Sequence, residues 1–182
     1  CLKLAKIVIP EAVQVVSADA FAGCKALASV ELGAVKEIEQ YAFAGCESLK
    51  EITLPATVET VDAVSFYGCT RLQAINVAEG NAKFKSVDGV VLVANGDEEP
   101  VFDTLAIFPA GKAGEYEIPE GVKNIADKAF YNCSGMLEIT VPSSVTSIGT
   151  SSFVGCGGKA TINCKISLSL RLIGKPMANG QI

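Results

Sequence analysis

Histidine and tryptophan are absent from this 182-residue chain, and methionine occurs only twice. Without histidine the chain lacks the common general base, the Ser-His and Cys-His nucleophile pairs and the usual metal ligand. Aromatic residues make up only 7% of the chain, so its 49% hydrophobic content comes mostly from Val, Ile, Leu and Ala. That mixture suits short stacked strands. Positive charge is also scarce: a net charge of −5 argues against a nucleic-acid partner, because phosphate binding needs clustered Lys and Arg. No apolar run approaches the ~18 residues of a membrane span, which predicts no membrane insertion. No residue pattern points to a cofactor.

A short stretch recurs instead. Ala20-Phe21-Ala22-Gly23-Cys24, Ala42-Phe43-Ala44-Gly45-Cys46, Ser65-Phe66-Tyr67-Gly68-Cys69, Ala129-Phe130-Tyr131-Asn132-Cys133 and Ser152-Phe153-Val154-Gly155-Cys156 are near-copies. The Phe-to-Phe steps are 22, 23, 64 and 23 residues. A period in the low twenties marks a solenoid, in which each coil touches only its neighbours.

Counting from each Cys, Leu stands third (Leu4, Leu27, Leu49, Leu72; Met136 in one copy). An aliphatic residue stands sixth (Ile7, Val30, Ile52, Ile75, Ile139, Ile162) and another eighth (Ile9, Leu32, Leu54, Val77, Val141). That alternation predicts a short strand with one buried face. Pro often follows at the ninth position (Pro10, Pro55, Pro142) and ends the strand, having no N–H for the ladder. Val or Ile then recurs, as in Val58 and Val61 or Val122 and Ile125, predicting a second extended piece; Val35 and Ile38 keep the order in a coil one residue shorter. The spacing before Gly-Cys predicts a tight helical or 3₁₀ turn. Cys1 itself fits the register, which predicts that the chain starts inside a coil; a lipid-modified N-terminal cysteine is the sharper alternative.

Six cysteines (Cys1, Cys24, Cys46, Cys69, Cys133, Cys156) share one repeat position. Stacking makes them a column about 4.8 Å apart. Disulfides between coils and a metal site are possible readings. In-register side chains point the same way, however, and zinc ligands must converge. Buried thiols acting as small apolar residues are the favoured reading. The Phe column reads as core, with the rings turned inward. Carboxylates at Glu37 and Glu39, and at Asp97, Glu98 and Glu99, read as solvated surface; the Asp97–Asp103 loop has oxygen ligands for Ca²⁺ but not the spacing of a calcium loop.

The order I/L-x-I/L-P-x-x-V-x-x-I-x-x-x-A-F-x-x-C-x-x-L resembles the BspA-type leucine-rich repeat over roughly residues 1 to 164. Pro119, Val122, Ile125, Ala129, Phe130, Cys133, Leu137, Ile139, Val141 and Pro142 carry it most fully. The middle section, Phe84 to Leu92 and Leu105 to Lys112, is similar to a variant insert of the same family. The resemblance implies one solenoid domain over residues 1–182: an α/β right-handed leucine-rich-repeat stack of short parallel strands and short helical or 3₁₀ turns. Residues 78–118 are expected to be an irregular strand-rich insert through which the coils continue with a weaker motif. Asp88-Gly89 should form a tight turn, and 95–100 a projecting polar loop. A last strand and partial cap are expected over 165–182.

The family carries no catalytic residues, and it implies a non-enzymatic, cell-surface or secreted interaction role. The outward strand positions, fifth and seventh after each Cys, form two rows on what should be a continuous ribbon. Ser29, Glu31, Glu51, Thr53, Asn76, Glu138, Thr140 and Asn163 are the candidate interaction residues. An adhesion module binding protein or glycan is the leading expectation. A stalk with no ligand of its own is the alternative.

Overall fold

The computed structural model describes residues 1, 3–96, 100–157 and 161–164. The chain forms a β-solenoid of about seven turns. One side carries three blocks of parallel strands. The first pairs β1 (Lys6–Val8) with β3 (Ser29–Glu31), and the second pairs β5 (Glu51–Leu54) with β7 (Ala74–Val77). The third is β11 (Gly114–Glu117), β13 (Met136–Val141) and β15 (Thr161–Cys164). Two-residue strands make the second side: β2 (Val15–Val16), β4 (Glu37–Ile38) and β6 (Thr60–Val61), then β12 (Asn124–Ile125) and β14 (Ser147–Ile148), all parallel to their neighbours. Between the two sides lies a corner turn. Val13, Val58, Val122 and Val145 each donate their N–H to the carbonyl of the proline three residues back.

Like residues meet down the stack. Phe43 lies nearly parallel to Phe21, with centroids 5.3 Å apart, and to Phe66 at 5.7 Å. Beneath the strands, Leu27, Leu49, Leu72, Ile52, Ile75 and Ile139 are fully or almost fully buried. The sixth-position and third-position residues therefore form the core that the alternation predicts.

The turns differ from the sequence expectation. Among the described residues no segment is α- or 3₁₀-helical, so the class is a β-solenoid rather than α/β. The backbone explains why. Cys24 and Leu27 donate to Phe21 and Cys24 within their own coil, but Phe21 and Gly23 between them donate to Ala42 and Ala44 of the next coil. Gly45 likewise reaches Tyr67, and Phe130 reaches Ser152. A helix needs successive N–H groups turned back along its own axis; here alternate groups bind the neighbouring coil. The left-handed conformation at Gly23, Gly45, Gly68, Asn132 and Gly155 also stops helical propagation at each copy.

The middle section is strand-rich, as expected, but its strands are arranged differently. The coils do not continue unchanged; β8 (Phe84–Val87), β9 (Val90–Asn95) and β10 (Val101–Ile107) form an antiparallel meander. Asp88 and Gly89, at φ 50° and 75°, close the two-residue turn expected there. Two residues can only reverse a strand, whereas a parallel return needs a dozen or more. The sheet is then handed back to the solenoid, because β10 pairs with β12 in parallel. Val91 and Ile107 pack on the N-terminal core, while Val90, Leu92, Leu105 and Phe108 pack on the C-terminal one. Both faces of the meander are thus buried, which accounts for its unbroken apolar runs. Asp97–Glu99 of the expected projecting loop, and the strand and cap expected over 165–182, lie outside the described residues.

Asn81 links the last regular coil to the meander. Its Nδ2 donates to the carbonyls of Pro55 and Val58, and its Oδ1 accepts from the N–H groups of Lys83 and Phe84. One buried amide thus satisfies four backbone groups at a point where the repeat pattern changes.

Candidate functional site

The outward strand positions form two rows, set by register. The first contains Lys6 beside Ser29, Glu51 beside Ala74, and Glu115 beside Glu138 and Thr161. The second contains Val8 beside Glu31, Thr53 beside Asn76, and Glu117 beside Thr140 and Asn163. Glu31, Glu51, Thr53 and Asn163 are exposed; Ser29, Asn76, Glu138 and Thr140 are half-buried. Some of these groups bind each other: Lys6 Nζ lies 2.6 Å from Glu31 Oε1, and Asn163 Nδ2 donates to Glu138 Oε1 at 2.8 Å.

The rows are not one continuous ribbon. Among the described residues no ladder joins β3 to β5, beside the coil that is one residue short. The meander interrupts the face again between β7 and β11. Its tip docks there, with Ile75 N–H donating to Gly89 O and Lys112 Nζ to Asp88 O. Glu115 and Glu117 were not among the sequence candidates. The alternation Glu115-Tyr116-Glu117-Ile118 before Pro119 is the signal that places them. Leu137 is the extra residue of a bulge opposite Gly114 and Glu115, and it stands 59% exposed on the same face.

The cysteines hold a different kind of order. All seven are free thiols. Cys46 Sγ donates to Phe21 O at 3.4 Å, Cys69 to Phe43 O at 3.1 Å, Cys133 to Phe108 O at 3.8 Å and Cys156 to Phe130 O at 3.2 Å. Each thiol ties its coil to the phenylalanine of the previous one. Three thiols of the column resist ionisation. A hydrogen bond with Cys46 and burial push the Cys69 thiol up, burial pushes Cys133 up, and burial raises Cys156 to about 11. The hydrogen bond with Cys69 lowers the Cys46 thiol instead, so thiolate, the reactive form, is disfavoured at Cys69, Cys133 and Cys156 but not at Cys46.

Phe108 completes the second half of the aromatic column, with its centroid 4.7 Å from Phe130. It stands 22 residues before Phe130, so the repeat period itself gives its place. The missing Cys hides it: Gly111 occupies that position. A Cβ at Gly111 would lie 2.4 Å from the Arg71 carbonyl carbon and the Leu72 nitrogen, so only glycine fits.

Two open grooves flank the strands. One, of about 280 Å³, is lined by Glu37, Glu39, Gln40, Thr60 and Asp62. Two of its carboxylates are engaged, Glu39 with the Ala18 N–H and Asp62 with the Val64 N–H. The other, of about 330 Å³, is lined by Lys50, Arg71 and Gln73.

The model of the BspA type leucine rich repeat region matches residues 1–87 and 107–177, in six copies. The chain belongs to the BspA-type leucine-rich repeat family. The unmatched interval, 88–106, coincides with most of the meander. No curated protein sequence matches this BspA-type chain. Among solved structures it is similar to pneumococcal vaccine antigen PcpA, with 26% identity and a TM-score of 0.75 over 88% of this chain and 39% of that one. It is similar also to a leucine rich cell surface protein from Faecalibacterium prausnitzii A2-165, with 28% identity and a TM-score of 0.72 over 91% of this chain and 42% of that one. A leucine-rich repeat protein from Eubacterium ventriosum, 24% identical at a TM-score of 0.59 over 89% of this chain and 54% of that one, shares the fold. The BspA-type chain thus spans about two fifths of the length of the first two. No helix among its described residues is long and apolar enough to cross a membrane.

Proposed function

We propose that this chain is a non-enzymatic interaction and adhesion module of a cell-surface or secreted protein, binding a protein or glycan along its outward strand rows. The observation that carries the reading is the pair of polar rows on parallel strands. In-register stacking repeats side chains at a fixed spacing within each of the three blocks, and such repeated surfaces are how repeat proteins hold extended partners. Family membership supports it, as do two structural relatives described as a vaccine antigen and a cell surface protein. The non-enzymatic part rests on chemistry: the chain has no histidine, and burial holds Cys133 and Cys156 in their thiol form.

The test is solid-phase binding of the protein to a panel of host matrix proteins and glycans. A second arm carries Glu31→Gln, Glu51→Gln, Thr53→Ala, Glu138→Gln and Thr140→Ala together. The reading expects a ligand in the panel and a loss of binding in the variant, with circular dichroism unchanged. Absence of any ligand would contradict it. So would a variant that adheres normally while a shortened stack does not, the behaviour of a stalk.

A further inference from the structure

The strand rows are acidic or neutral apart from Lys6, which is paired with Glu31, but among the described residues the rim where the strands begin carries unpaired positive charge. Lys50 immediately precedes β5, and Arg71 and Gln73 precede β7. These three exposed residues line the groove of about 330 Å³. Their backbones are locked as neighbours, since Gln73 N–H donates to Lys50 O at 2.8 Å. Four other lysines are matched with acids: Lys6 with Glu31, Lys25 with Glu47, Lys36 with Glu59 and Lys123 with Asp103. Among the described residues, Lys50 and Arg71 have no carboxylate within ion-pair distance.

Gly111 packs on the Arg71 backbone and donates its N–H to Leu72 O, so Lys112 enters at the next residue, its ammonium on Asp88 O. Lys112 is thus engaged by the meander and does not line the groove, whose cations are Lys50 and Arg71. The donor set is specific for an oxyanion. A guanidinium fork fits the two oxygens of a carboxylate or sulfate, an ammonium adds a point charge, and the Gln73 amide adds a neutral donor.

We infer that the Lys50–Arg71–Gln73 groove binds the carboxylate or sulfate group of an acidic polysaccharide. The inference rests on the interaction-module reading above and names a ligand class for it, on residues outside the strand rows. Bulk attraction is not the source, because the chain carries a net charge of −5 and repels polyanions overall. A groove holding about one anion suits a glycan with one charge per sugar better than a nucleic acid, whose tight binding needs many neutralised phosphates.

The experiment is retention of the protein on immobilised heparin, which is sulfated, and on polygalacturonate, which carries only carboxylates, at about 50 mM salt where screening is weak. Retention on either matrix is expected, and the two arms identify the anion. Lys50→Gln with Arg71→Gln should weaken binding about tenfold to a hundredfold, the weight of one or two charge-assisted hydrogen bonds. Arg71→Lys, which keeps the charge but loses the fork, should fall between. Lys36→Gln, just before β4, changes net charge as Lys50→Gln does and removes only an exposed ion pair with Glu59, so it should leave binding unaltered. The inference is overturned if neither matrix retains the protein, or if Lys50→Gln with Arg71→Gln binds normally. Stronger groove-dependent binding to a DNA oligonucleotide would overturn it too. Such a result leaves the strand-row reading standing, since that reading is tested by different substitutions.

Discussion

Replacing Phe43 by alanine should remove the centre of the N-terminal stack. The ring is fully buried and lies between Phe21 at 5.3 Å and Phe66 at 5.7 Å, nearly parallel to both. Truncating a buried phenylalanine costs about 3–5 kcal/mol through lost transfer energy and the cavity left behind. Each lost ring pair adds about 0.5–1.5 kcal/mol beyond area. The total falls toward the upper end of that range, against a typical domain stability of roughly 5–15 kcal/mol. Phe153 is the control: it is only half-buried, with Phe130 at 5.2 Å as its recorded ring neighbour. Phe153→Ala should cost clearly less. The assay is urea unfolding followed by far-UV circular dichroism and tyrosine fluorescence, since the chain has no tryptophan. Phe43→Leu, which refills most of the space, should recover most of the loss. A Phe43→Ala midpoint equal to that of Phe153→Ala, or a cost below about 1 kcal/mol, would refute the reasoning, because emptying a buried phenylalanine site costs several times that.

Asn81→Ala should destabilise by about 2–6 kcal/mol, since the two buried bonds, to Val58 O and from Phe84 N–H, are lost at about 1–3 kcal/mol for each group left unsatisfied; equilibrium unfolding checks it, and hydrogen exchange should rise first near Phe84. Alkaline stability should fall as the core ionises. Folded Cys156 titrates near 11 against 9.0 for a free thiol, and Tyr116 is raised to about 12 from 10.0 by burial and then by Asp88. Folding therefore raises both values, so their stabilisation is complete below about pH 9 and is lost as pH rises through about 11 to 12. Thermal melts from pH 7 to 12 read this out, with flat melting temperatures through that window as the contrary result.

The strands were legible because period and alternation are both local. Sixth and eighth positions such as Ile52 and Leu54 define a buried face within four residues, and copies at 22 or 23 residues align them. The turns were not legible, because spacing near Phe-x-Gly-Cys fits a helical turn as well as a run of tight turns. Which one forms is decided by the neighbouring coil, which takes the N–H of Phe21 and Gly23. The meander illustrates the same point. Asp88-Gly89 announced a reversal, yet only tertiary packing reveals that both of its faces are buried between two cores. Phe108 was concealed by Gly111, and the reason for that glycine is a backbone contact with Arg71, far away in sequence. The candidate rows were readable as alternating polar positions, but their division into three blocks depends on ladder pairing.

A double-mutant cycle on the phenylalanines asks whether coil lies on coil. Phe43→Leu and Phe66→Leu, made singly and together, are compared with Phe43→Leu and Phe153→Leu in the same urea titration. Neighbouring rings should couple by about 0.5–1.5 kcal/mol, whereas the distant pair should add within about 0.3–0.5 kcal/mol. Equal coupling in both pairs, or none between Phe43 and Phe66, would contradict an in-register stack.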